Sequence, residues 1–512
     1  MNSLLNRLPW LIIFFGAFLR LHQYFFNRSL WLDEAFISLN ILNRPYLKLL
    51  EALDFNQGGP VGFLILTKSF VQLFGNSDYI LRLYPILCGL ISLILFYKFV
   101  KNRLEPKVAL IALFLFAICD PLVFYSSEVK QYSGDVVMTM ALYLLAVYME
   151  QNTLTLKKTL FAAVIGAVAI WFSHPAIFVL LGIGFTITIS FISQKLWEKV
   201  GRMFVCWVFW IASLITLYYA NLSKLNANAI EYFGVDSFMQ ILPTPEWIYS
   251  RFGDVFYLMK LSQYRLPQIL FVIGVICMGL KKRHLFYMLS SPILFTLIAS
   301  SFHKYPFVGR LLLFLVPLYL ILIAEGAGYC INFVNRFSPF LQIIVIGFLI
   351  FSPLQYAVNC LVTPRTVQEI KEVLAFIKER RKPGDVIYVY HSAQYAFKYY
   401  AKKFGFNDDF LIEYSEHSSD PSALDRYEKP GYNTIVLGIT SPENKVRYID
   451  QLNKLRGNSR VWILFSHVWE DEGSLILKHL DKIGIRRHLI KNPGYFNGSA
   501  AYLYDLSSTA NP

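Results

Sequence analysis

Charged residues are scarce in this 512-residue chain, and their scarcity excludes a soluble globular protein. Only 16% of the residues are charged, whereas 55% are hydrophobic and 17% are aromatic. Soluble domains carry about 25% charged residues. The composition therefore predicts a polytopic membrane protein.

Cysteine pairs and the common cofactor motifs are absent from the sequence. The six cysteines occur singly in the hydrophobic part of the chain: Cys88, Cys119, Cys206, Cys277, Cys330 and Cys360. Without a CxxC or a His/Cys ligand spacing, we expect neither a disulfide framework nor structural zinc. No HExxH, EF-hand or DxD pattern occurs, and no GxGxxG follows a strand, so a dinucleotide site is not expected. A divalent metal cofactor is left open.

The formal net charge of +14 does not indicate a nucleic-acid partner. Up to residue 364 the chain has 27 Lys and Arg against 16 Asp and Glu, and from residue 365 onward it has 21 against 18. The excess lies mostly in the hydrophobic part, where clusters of cytoplasmic Lys and Arg account for it. No nucleic-acid-binding motif accompanies this charge.

Long apolar stretches dominate the first 360 residues. About 20 apolar residues cross a bilayer, and eleven stretches approach that length: 8–26, 79–97, 107–124, 132–149, 159–172, 175–193, 203–220, 267–280, 285–301, 308–324 and 339–357. Basic residues fall in every second connection, which places the N-terminus in the cytoplasm. The stretch 58–74 is interrupted by Lys68 and Gln72, and we expect it to lie in the outer interface as part of an outer loop, 27–78.

The last 150 residues have the composition of a soluble domain. Predicted strands at 385–390, 434–439, 461–467 and 500–506 alternate with predicted helices at 366–381, 393–404, 442–455 and 472–483. Strands that alternate with helices predict a βαβ sheet. The sequence thus predicts a mainly α fold in two domains, with membrane helices in residues 1–360 and an α/β domain outside the membrane in residues 361–512.

Two adjacent carboxylates, Asp33 and Glu34, follow the first span in the stretch RSLWLDEAFISLN. One interpretation is a pair of acidic caps at the start of an interfacial helix. The alternative is a general base, because a carboxylate at the membrane surface can have its pKa set by desolvation and by basic neighbours. The residues alone leave both interpretations open.

A second polar cluster interrupts a span at FYSSEVKQYSGDVV, which contains Glu128, Lys130, Tyr132 and Asp135. If the chain re-enters the membrane as a helix at this point, Glu128, Tyr132 and Asp135 share one helix face. Asp135 begins the fourth span, and an ionisable group inside a span is a functional candidate by default. The alternative is a solvated loop in which Asp135 stabilises the start of its helix.

Cations and one histidine complete the candidates on the outer side. They are Arg82, Lys130, His174, His303, Lys304 and Arg310. Interfacial cations often extend to lipid headgroups, but together with the acids they favour a phosphate-bearing ligand held by charge-assisted hydrogen bonds. His174 precedes a proline, so a helix-breaking turn is as good an account of it as a role as ligand or proton carrier.

These segments resemble the polyprenyl-phosphate-dependent membrane glycosyltransferases of the GT-C class, especially the bacterial branch related to the dolichyl-phosphate-mannose protein mannosyltransferases. The resemblance rests on LWLDEA, the stretch 59–90, FYSSEVKQYSGDVV and the C-terminal domain. It implies that Asp33 is the catalytic base with Glu34 beside it, that Arg82 is the family's arginine after the interfacial helix, and that Asp135 is its carboxylate on the fourth span. Some members also carry residues like Glu128, Lys130 and Tyr132.

The resemblance implies an inverting glycosyltransferase that moves a sugar from a polyprenyl-phosphate donor to an acceptor hydroxyl of a glycan, lipid or protein, at the outer face of the cell (inner) membrane. One departure is the stretch NQGGPVG at 56–62, where many relatives have His-Pro-Pro or a charged pair. A transporter or flippase of a lipid-linked saccharide is the alternative, although no internal repeat of the kind common in transporters is seen. A receptor-like role would explain the C-terminal domain but not the acids.

Overall fold

The computed structural model describes residues 2–223, 230, 233–261, 265–336, 339–406, 410–413, 434–438, 445–469, 471–492 and 498–507. The chain forms two compact units. The membrane unit comprises residues 1–26 and 41–365, and the C-terminal unit comprises residues 27–40 and 366–512. Residues 27–40, which are predicted from the sequence to belong to the membrane domain, group with the C-terminal residues in the structure.

Helices make up nearly all of the membrane unit. In chain order they are α1 Asn2–Phe26, α2 Leu32–Asn43 (which begins in the C-terminal unit), α3 Val61–Phe74, α4 Asp78–Leu81, α5 Leu83–Arg103, α6 Pro106–Ile118, α7 Asp120–Phe124, α8 Tyr132–Gln151, α9 Leu156–Phe172, α10 Ala176–Ser193, α11 Trp197–Leu217, α12 Pro245–Leu258, α13 Leu266–Lys281, α14 Arg283–Ser301, α15 Val316–Val334 and α16 Pro339–Val362.

Each of the eleven predicted spans overlaps one of these helices, and the predicted polytopic fold is confirmed. Within the described residues, eight helices are long and apolar enough to cross a membrane, or nine if the bent pair 106–118 and 120–127 is one span. The shorter helices α9 and α13 have 17 and 16 residues and correspond to the two shortest predicted spans. The interrupted stretch at 58–74 forms the 14-residue helix α3.

The bend between α6 and α7 has a local cause. The two helices meet at an angle of 56°, and Pro121 lies at the start of α7. Proline lacks the backbone N–H that would continue a helix. The break therefore ends the apolar run at Cys119 and turns the polar stretch from Asp120 onward away from the axis of α6.

Helix α15 is central to its unit, because 94% of the span Gly309–Val334 is buried in protein, compared with 17% of Gln342–Val362. Two glycines let α13 approach it closely. A Cβ atom on Gly326 would lie 1.9 Å from the carbonyl oxygen of Leu270, and one on Gly274 would lie 1.9 Å from that of Leu322. Small residues permit this backbone contact between membrane helices.

The C-terminal unit contains a six-stranded sheet. Its strands are β1 Val386–Val389, β2 Phe410–Glu413, β3 Thr434–Leu437, β4 Val461–Ser466, β5 Ile485–Asn492 and β6 Ser499–Asp505, and its helices are α17 Ile370–Arg380, α18 Ala393–Tyr400, α19 Lys445–Asn453 and α20 Glu472–Ile483. The strand order is β2-β3-β1-β4-β6-β5. The first four strands in this order are parallel, and β6 is antiparallel to both β4 and β5.

The four predicted strands are β1, β3, β4 and β6, and the predicted α/β character of this unit is confirmed. The two strands that sequence analysis missed, β2 and β5, form the edges of the sheet. Strand β5 has the sequence IRRHLIKN, and most of it is exposed. An edge strand with this many charges lacks the apolar run that marks a buried strand.

The close contact of α13 and α15 leads to a stability prediction. We expect Gly326→Ala to lower the free energy of unfolding in detergent by about 1–3 kcal/mol, because the methyl group forces the two backbones apart. Gly347→Ala on α16 is the matched control, since a Cβ atom there meets nothing within 4 Å. It should be neutral or stabilise by up to about 1 kcal/mol through helix propensity. Equal stability of the two variants would contradict the close approach.

Candidate functional site

In the C-terminal unit, Asp33 and Glu34 both lie in the first turn of α2 but have different surroundings. Glu34 is completely buried, and its Oε2 accepts a hydrogen bond of 2.5 Å from Nη1 of the buried Arg28. The same oxygen accepts from the backbone N–H of Trp31 at 3.4 Å, as the third residue of a helix does in a capping box. The predicted capping role therefore fits Glu34, whose carboxylate is committed to structure.

Asp33 is 5% exposed. Its backbone is held by the hydrogen bonds of the residues before it. The N–H and the hydroxyl of Ser29 both donate to Glu369 Oε2 at 3.0 Å, and the N–H of Leu30 donates to the Tyr400 hydroxyl at 2.9 Å. Burial raises the pKa of Glu369, and the bonds from Ser29 oppose this shift. The backbone segment that leads to Asp33 is thus held in place by polar contacts of Ser29 and Leu30.

In the membrane unit, the structure corrects the predicted helical face of the second cluster. Helix α8 begins only at Tyr132, and Glu128 has an extended backbone with φ −115° and ψ 135°. Glu128, Tyr132 and Asp135 therefore do not share one helix face. The reason is the turn at 128–131, which separates the bent pair of helices from α8.

The side chains of this second cluster nevertheless lie close together. The Tyr132 and Tyr125 rings are in edge contact at 5.1 Å between centroids, and Tyr125 is within electrostatic range of Glu128 and Arg310. The Arg310 guanidinium lies 5.8 Å from the centroid of the Tyr132 ring. A carboxylate, a guanidinium and two phenols thus surround the start of α8.

Lys130 and Asp135 extend this arrangement. The Lys130 ammonium donates a 2.7 Å hydrogen bond to Gln57 Oε1, and both residues are buried. Asp135 is 4% exposed, and it lies within electrostatic range of Tyr305. Burial raises the pKa of Tyr305 well above its usual value, and Asp135 and Tyr132 add to the shift. The phenol is therefore a neutral hydrogen-bond donor at neutral pH.

The remaining cationic candidates lie on other elements of the membrane unit. Arg82 is buried at the junction of α4 and α5 and lies within electrostatic range of Tyr24. His303 and Lys304 are exposed, and the His303 ring lies 5.3 Å from that of Phe238. Among the described residues, no hydrogen bond, ion pair or ring contact joins the side chains of His303 and Lys304 to the cluster around Tyr132.

His174 lies in the turn between α9 and α10. Burial lowers its pKa to about 4, so the imidazole is neutral at neutral pH. Its Nε2 atom is buried and has no hydrogen-bond partner among the described residues, and the side chain of the preceding residue, Ser173, lies within hydrogen-bonding range of Asp135. The turn predicted for the His-Pro pair is present, and His174 keeps its capacity to bind a polar group.

Sequence analysis missed several charged or polar residues of these sites. They are Arg28, which pairs with Glu34; Arg365, which binds Asp120 at 2.9 Å; and Tyr305. Arg28 carried a signal, because it lies in the stretch that contains Asp33. Arg365 lies 245 residues from Asp120 in sequence, and only the fold brings the two together.

The part of the chain that the structure describes offers few side chains that could bind a metal ion together. No group of three or more His, Cys, Asp and Glu side chains converges there in a way that could hold a metal ion. The acids of the cluster around Tyr132 are instead accompanied by cations. We therefore derive no chemical step through a metal.

Comparison with known proteins supports the predicted class. Residues 58–220 match the family described as dolichyl-phosphate-mannose-protein mannosyltransferase. No curated protein matches the chain. The matched segment includes Arg82, Lys130, Asp135 and His174. It begins at residue 58 and therefore does not include Asp33.

Solved structures share the fold over nearly the whole chain. ArnT from Cupriavidus metallidurans in the apo state has a TM-score of 0.53 at 11% identity, over 98% of this chain and 99% of that chain. The same protein bound to undecaprenyl phosphate has a TM-score of 0.51 at 11% identity, with the same coverage. The apo oligosaccharyltransferase of Archaeoglobus fulgidus has a TM-score of 0.51 at 10% identity, over 98% of this chain and 75% of that chain.

The chain therefore has many helices that are long and apolar enough to cross a membrane and shares its fold with ArnT and with the archaeal oligosaccharyltransferase. This shared fold and the family match support the resemblance, seen in the sequence, to the polyprenyl-phosphate-dependent glycosyltransferases of the GT-C class. The match to the protein mannosyltransferase family is confined to residues 58–220, which form helices α3 to α11.

The lowered pKa of His174 leads to a prediction for acid stability. An unfolded imidazole takes up its proton near pH 6.5, but His174 in the folded protein does so only near pH 4. Between these values the unfolded chain binds more protons, so the free energy of unfolding falls as the pH falls from about 6.5 to about 4. His174→Asn should remove this contribution, and the variant should lose about 1–3 kcal/mol less than the wild type over this window.

The measurement is denaturant unfolding in detergent at a series of pH values. His303→Asn is the matched control, because it replaces an exposed histidine of the same unit, and asparagine tolerates the positive φ of 55° found there. The control should show the pH dependence of the wild type. An unchanged curve for His174→Asn would show that this imidazole is not kept neutral by burial.

Proposed function

We propose that this protein transfers a sugar from a polyprenyl-phosphate donor to an acceptor hydroxyl, with inversion of configuration and with Asp33 as the general base. The acceptor is a glycan, a lipid or a protein. The observation that carries the proposal is the group formed by the buried Lys130, Tyr132 and Asp135 and the half-buried Arg310, in a fold shared with a structure bound to undecaprenyl phosphate.

The donor phosphate is assigned to the cations of the membrane unit. Arg310 and Lys130 are both held by polar or aromatic partners, which limits the entropy that they lose when they bind a ligand. Their charges suit a phosphate oxygen, since charge-assisted hydrogen bonds to phosphate are short and strong. In this proposal Arg310 and Lys130 neutralise the leaving phosphate, and no step requires a divalent metal.

The base is assigned to Asp33 rather than to its neighbour. Glu34 is occupied by Arg28 and by the backbone N–H of Trp31. If Glu34 took up a proton during the reaction, it would leave Arg28 as a buried charge without its counter-ion, which is costly. Asp33 lies on the same helix turn, and its carboxylate is not the one that accepts the 2.5 Å hydrogen bond from Arg28 Nη1.

The reaction is a single displacement at the anomeric carbon. The acceptor hydroxyl gives its proton to the Asp33 carboxylate, and its oxygen forms a bond to the anomeric carbon. The bond between that carbon and the phosphate oxygen breaks, and polyprenyl phosphate leaves with the electron pair. A carboxylate base of this kind contributes typically about 100- to 10,000-fold in rate.

The proposal includes the placement of the protein in the cell. The positive-inside pattern supports a cytoplasmic N-terminus and an extracytoplasmic C-terminal unit in the cell (inner) membrane. The acceptor is then met outside the cytoplasm, where a polyprenyl-linked donor presents its sugar. Protease protection of tagged termini in sealed vesicles tests this orientation.

The first experiment concerns Asp33. We expect Asp33→Asn to reduce kcat for sugar transfer by about 100- to 10,000-fold, because the amide cannot accept the proton. The assay follows radiolabel from a panel of undecaprenyl-phosphate-linked sugars in detergent, and the binding of undecaprenyl phosphate should be unchanged. Asp254→Asn, which removes a partly exposed partner of Arg251, is the matched control and should retain wild-type turnover.

Three results would oppose the proposed reaction or its base. Full turnover by Asp33→Asn would exclude Asp33 as the base. Movement of intact labelled donor across vesicle membranes without loss of its sugar would favour the transporter alternative. Product with retained anomeric configuration would show that the reaction is not a single displacement.

The second experiment separates the predicted cations. We expect Arg310→Gln to raise the KM for the donor about 10- to 100-fold, since a hydrogen bond to a charged group contributes about 1.5–3 kcal/mol. Lys304→Gln is the control for an exposed cation six positions away and should change this KM less than twofold. If both variants raise KM equally, the donor is attracted by the general positive charge of this region and not by a specific contact with the side chain of Arg310.

A further inference from the structure

The sheet of the C-terminal unit has a topological switch point. From β1 the chain proceeds to one side of the sheet through β2 and β3, and it then crosses to the other side of β1 to form β4. In open α/β sheets, ligands bind at the carboxyl ends of the strands where the strand order reverses in this way. The residues that follow β1 and β4 are therefore the expected binding position of this unit.

The segment that carries Asp33 occupies that position. His467 directly follows β4, and its ring stacks against that of Trp31 at 6.4 Å between centroids with an angle of 29° between the planes. Phe36, on α2, contacts Tyr395, on α18, at 4.4 Å between ring centroids. The C-terminal unit thus uses its switch point to hold part of its own chain.

Gln368 connects the strand end to the backbone next to Asp33. Its Oε1 accepts from the N–H of Leu32 at 3.3 Å, and its Nε2 lies 2.5 Å from His467 Nδ1. Because Oε1 is the acceptor, Nε2 must donate, so Nδ1 of His467 accepts and the ring carries its proton on Nε2. All three residues are buried.

The backbone of His467 supports a specific role for this contact. Its φ of +53° lies in the left-handed region, which residues other than glycine adopt uncommonly. Such a conformation persists only where its surroundings enforce it, and it is common at functional sites. Here it turns the imidazole toward Gln368 and Trp31.

We propose that Gln368 and His467 are positioning residues, which hold the Leu32 N–H and thereby orient the Asp33 carboxylate for proton abstraction. This inference rests on the proposed function of Asp33. The N–H groups of Leu30 and Leu32 are both bound within the C-terminal unit, so the backbone on either side of Trp31 is fixed. Residues 366–512 therefore contribute to the reaction by orienting the base.

The test uses the full-length protein and the undecaprenyl-phosphate sugar that gives the highest wild-type rate. Gln368→Ala and His467→Ala should lower kcat about 10- to 100-fold with the KM for the donor within twofold of the wild type. His467→Asn should restore at least half of the wild-type kcat, because its amide oxygen accepts from Gln368 and asparagine tolerates positive φ. His479→Ala, which removes a histidine bonded to Asn453 in the same unit, is the matched control and should retain full activity.

A double-variant comparison separates orientation of the base from general structural damage. If Gln368 and His467 act through Asp33, then His467→Ala added to Asp33→Asn should cause no further loss of the residual rate. A further loss of tenfold would overturn the proposal. So would full activity of both alanine variants, or a failure of His467→Asn to restore the rate while its thermal unfolding midpoint equals that of the wild type.

Hydrogen exchange of the segment 27–40 gives a readout that does not depend on activity. Gln368→Ala should raise amide exchange in the peptide that contains Leu32, and His479→Ala should not. If Asp33→Asn is fully active but exchange rises in Gln368→Ala as expected, Asp33 is not the base, although Gln368 still holds the segment 27–40 in place. If Asp33→Asn is inactive but exchange and kcat are unchanged in Gln368→Ala, the positioning role fails alone.

Discussion

The buried ion pair of Arg28 and Glu34 is the constraint on which the candidate base depends. Both side chains are essentially inaccessible, at 1% and 0% exposure. Removing one partner of such a pair leaves a buried charge and costs about 3–5 kcal/mol. The pair therefore closes the chain between Arg28 and the first turn of α2, and Asp33 lies inside this closed stretch. The position of Asp33 is therefore set in part by the contact between Arg28 and Glu34.

Adjacent acids in a sequence can have unrelated tasks, and their partners decide which task each one has. The residues alone left a capping role and a role as general base open for both Asp33 and Glu34. The structure assigns the cap to Glu34, whose carboxylate binds the backbone N–H of Trp31 and the guanidinium of Arg28. A helix of 3.6 residues per turn directs neighbouring side chains about 100° apart. One carboxylate can then serve the helix while the other faces elsewhere.

The fold could be predicted from the sequence where its signal was local. The contacts of the candidate site could not be predicted where the two partners are distant in sequence. Apolar length alone located the spans, and alternation of strands and helices located β1, β3, β4 and β6. The helical face through Glu128 was wrong, because helix α8 starts four residues later. Arg365 and Gln368 escaped notice because their partners, Asp120 and Leu32, lie more than 240 residues away in sequence. No periodicity records such a contact.

The departure NQGGPVG gains a physical meaning from the contact of Gln57 with Lys130. A carboxylate in place of Gln57 would bind the ammonium but would also cancel its charge. The amide oxygen accepts the hydrogen bond at 2.7 Å and leaves the pair with a charge of +1. In a medium of low dielectric constant, a retained charge acts strongly on a nearby anion. A neutral partner therefore orients the lysine and preserves the property that a phosphate-binding site needs.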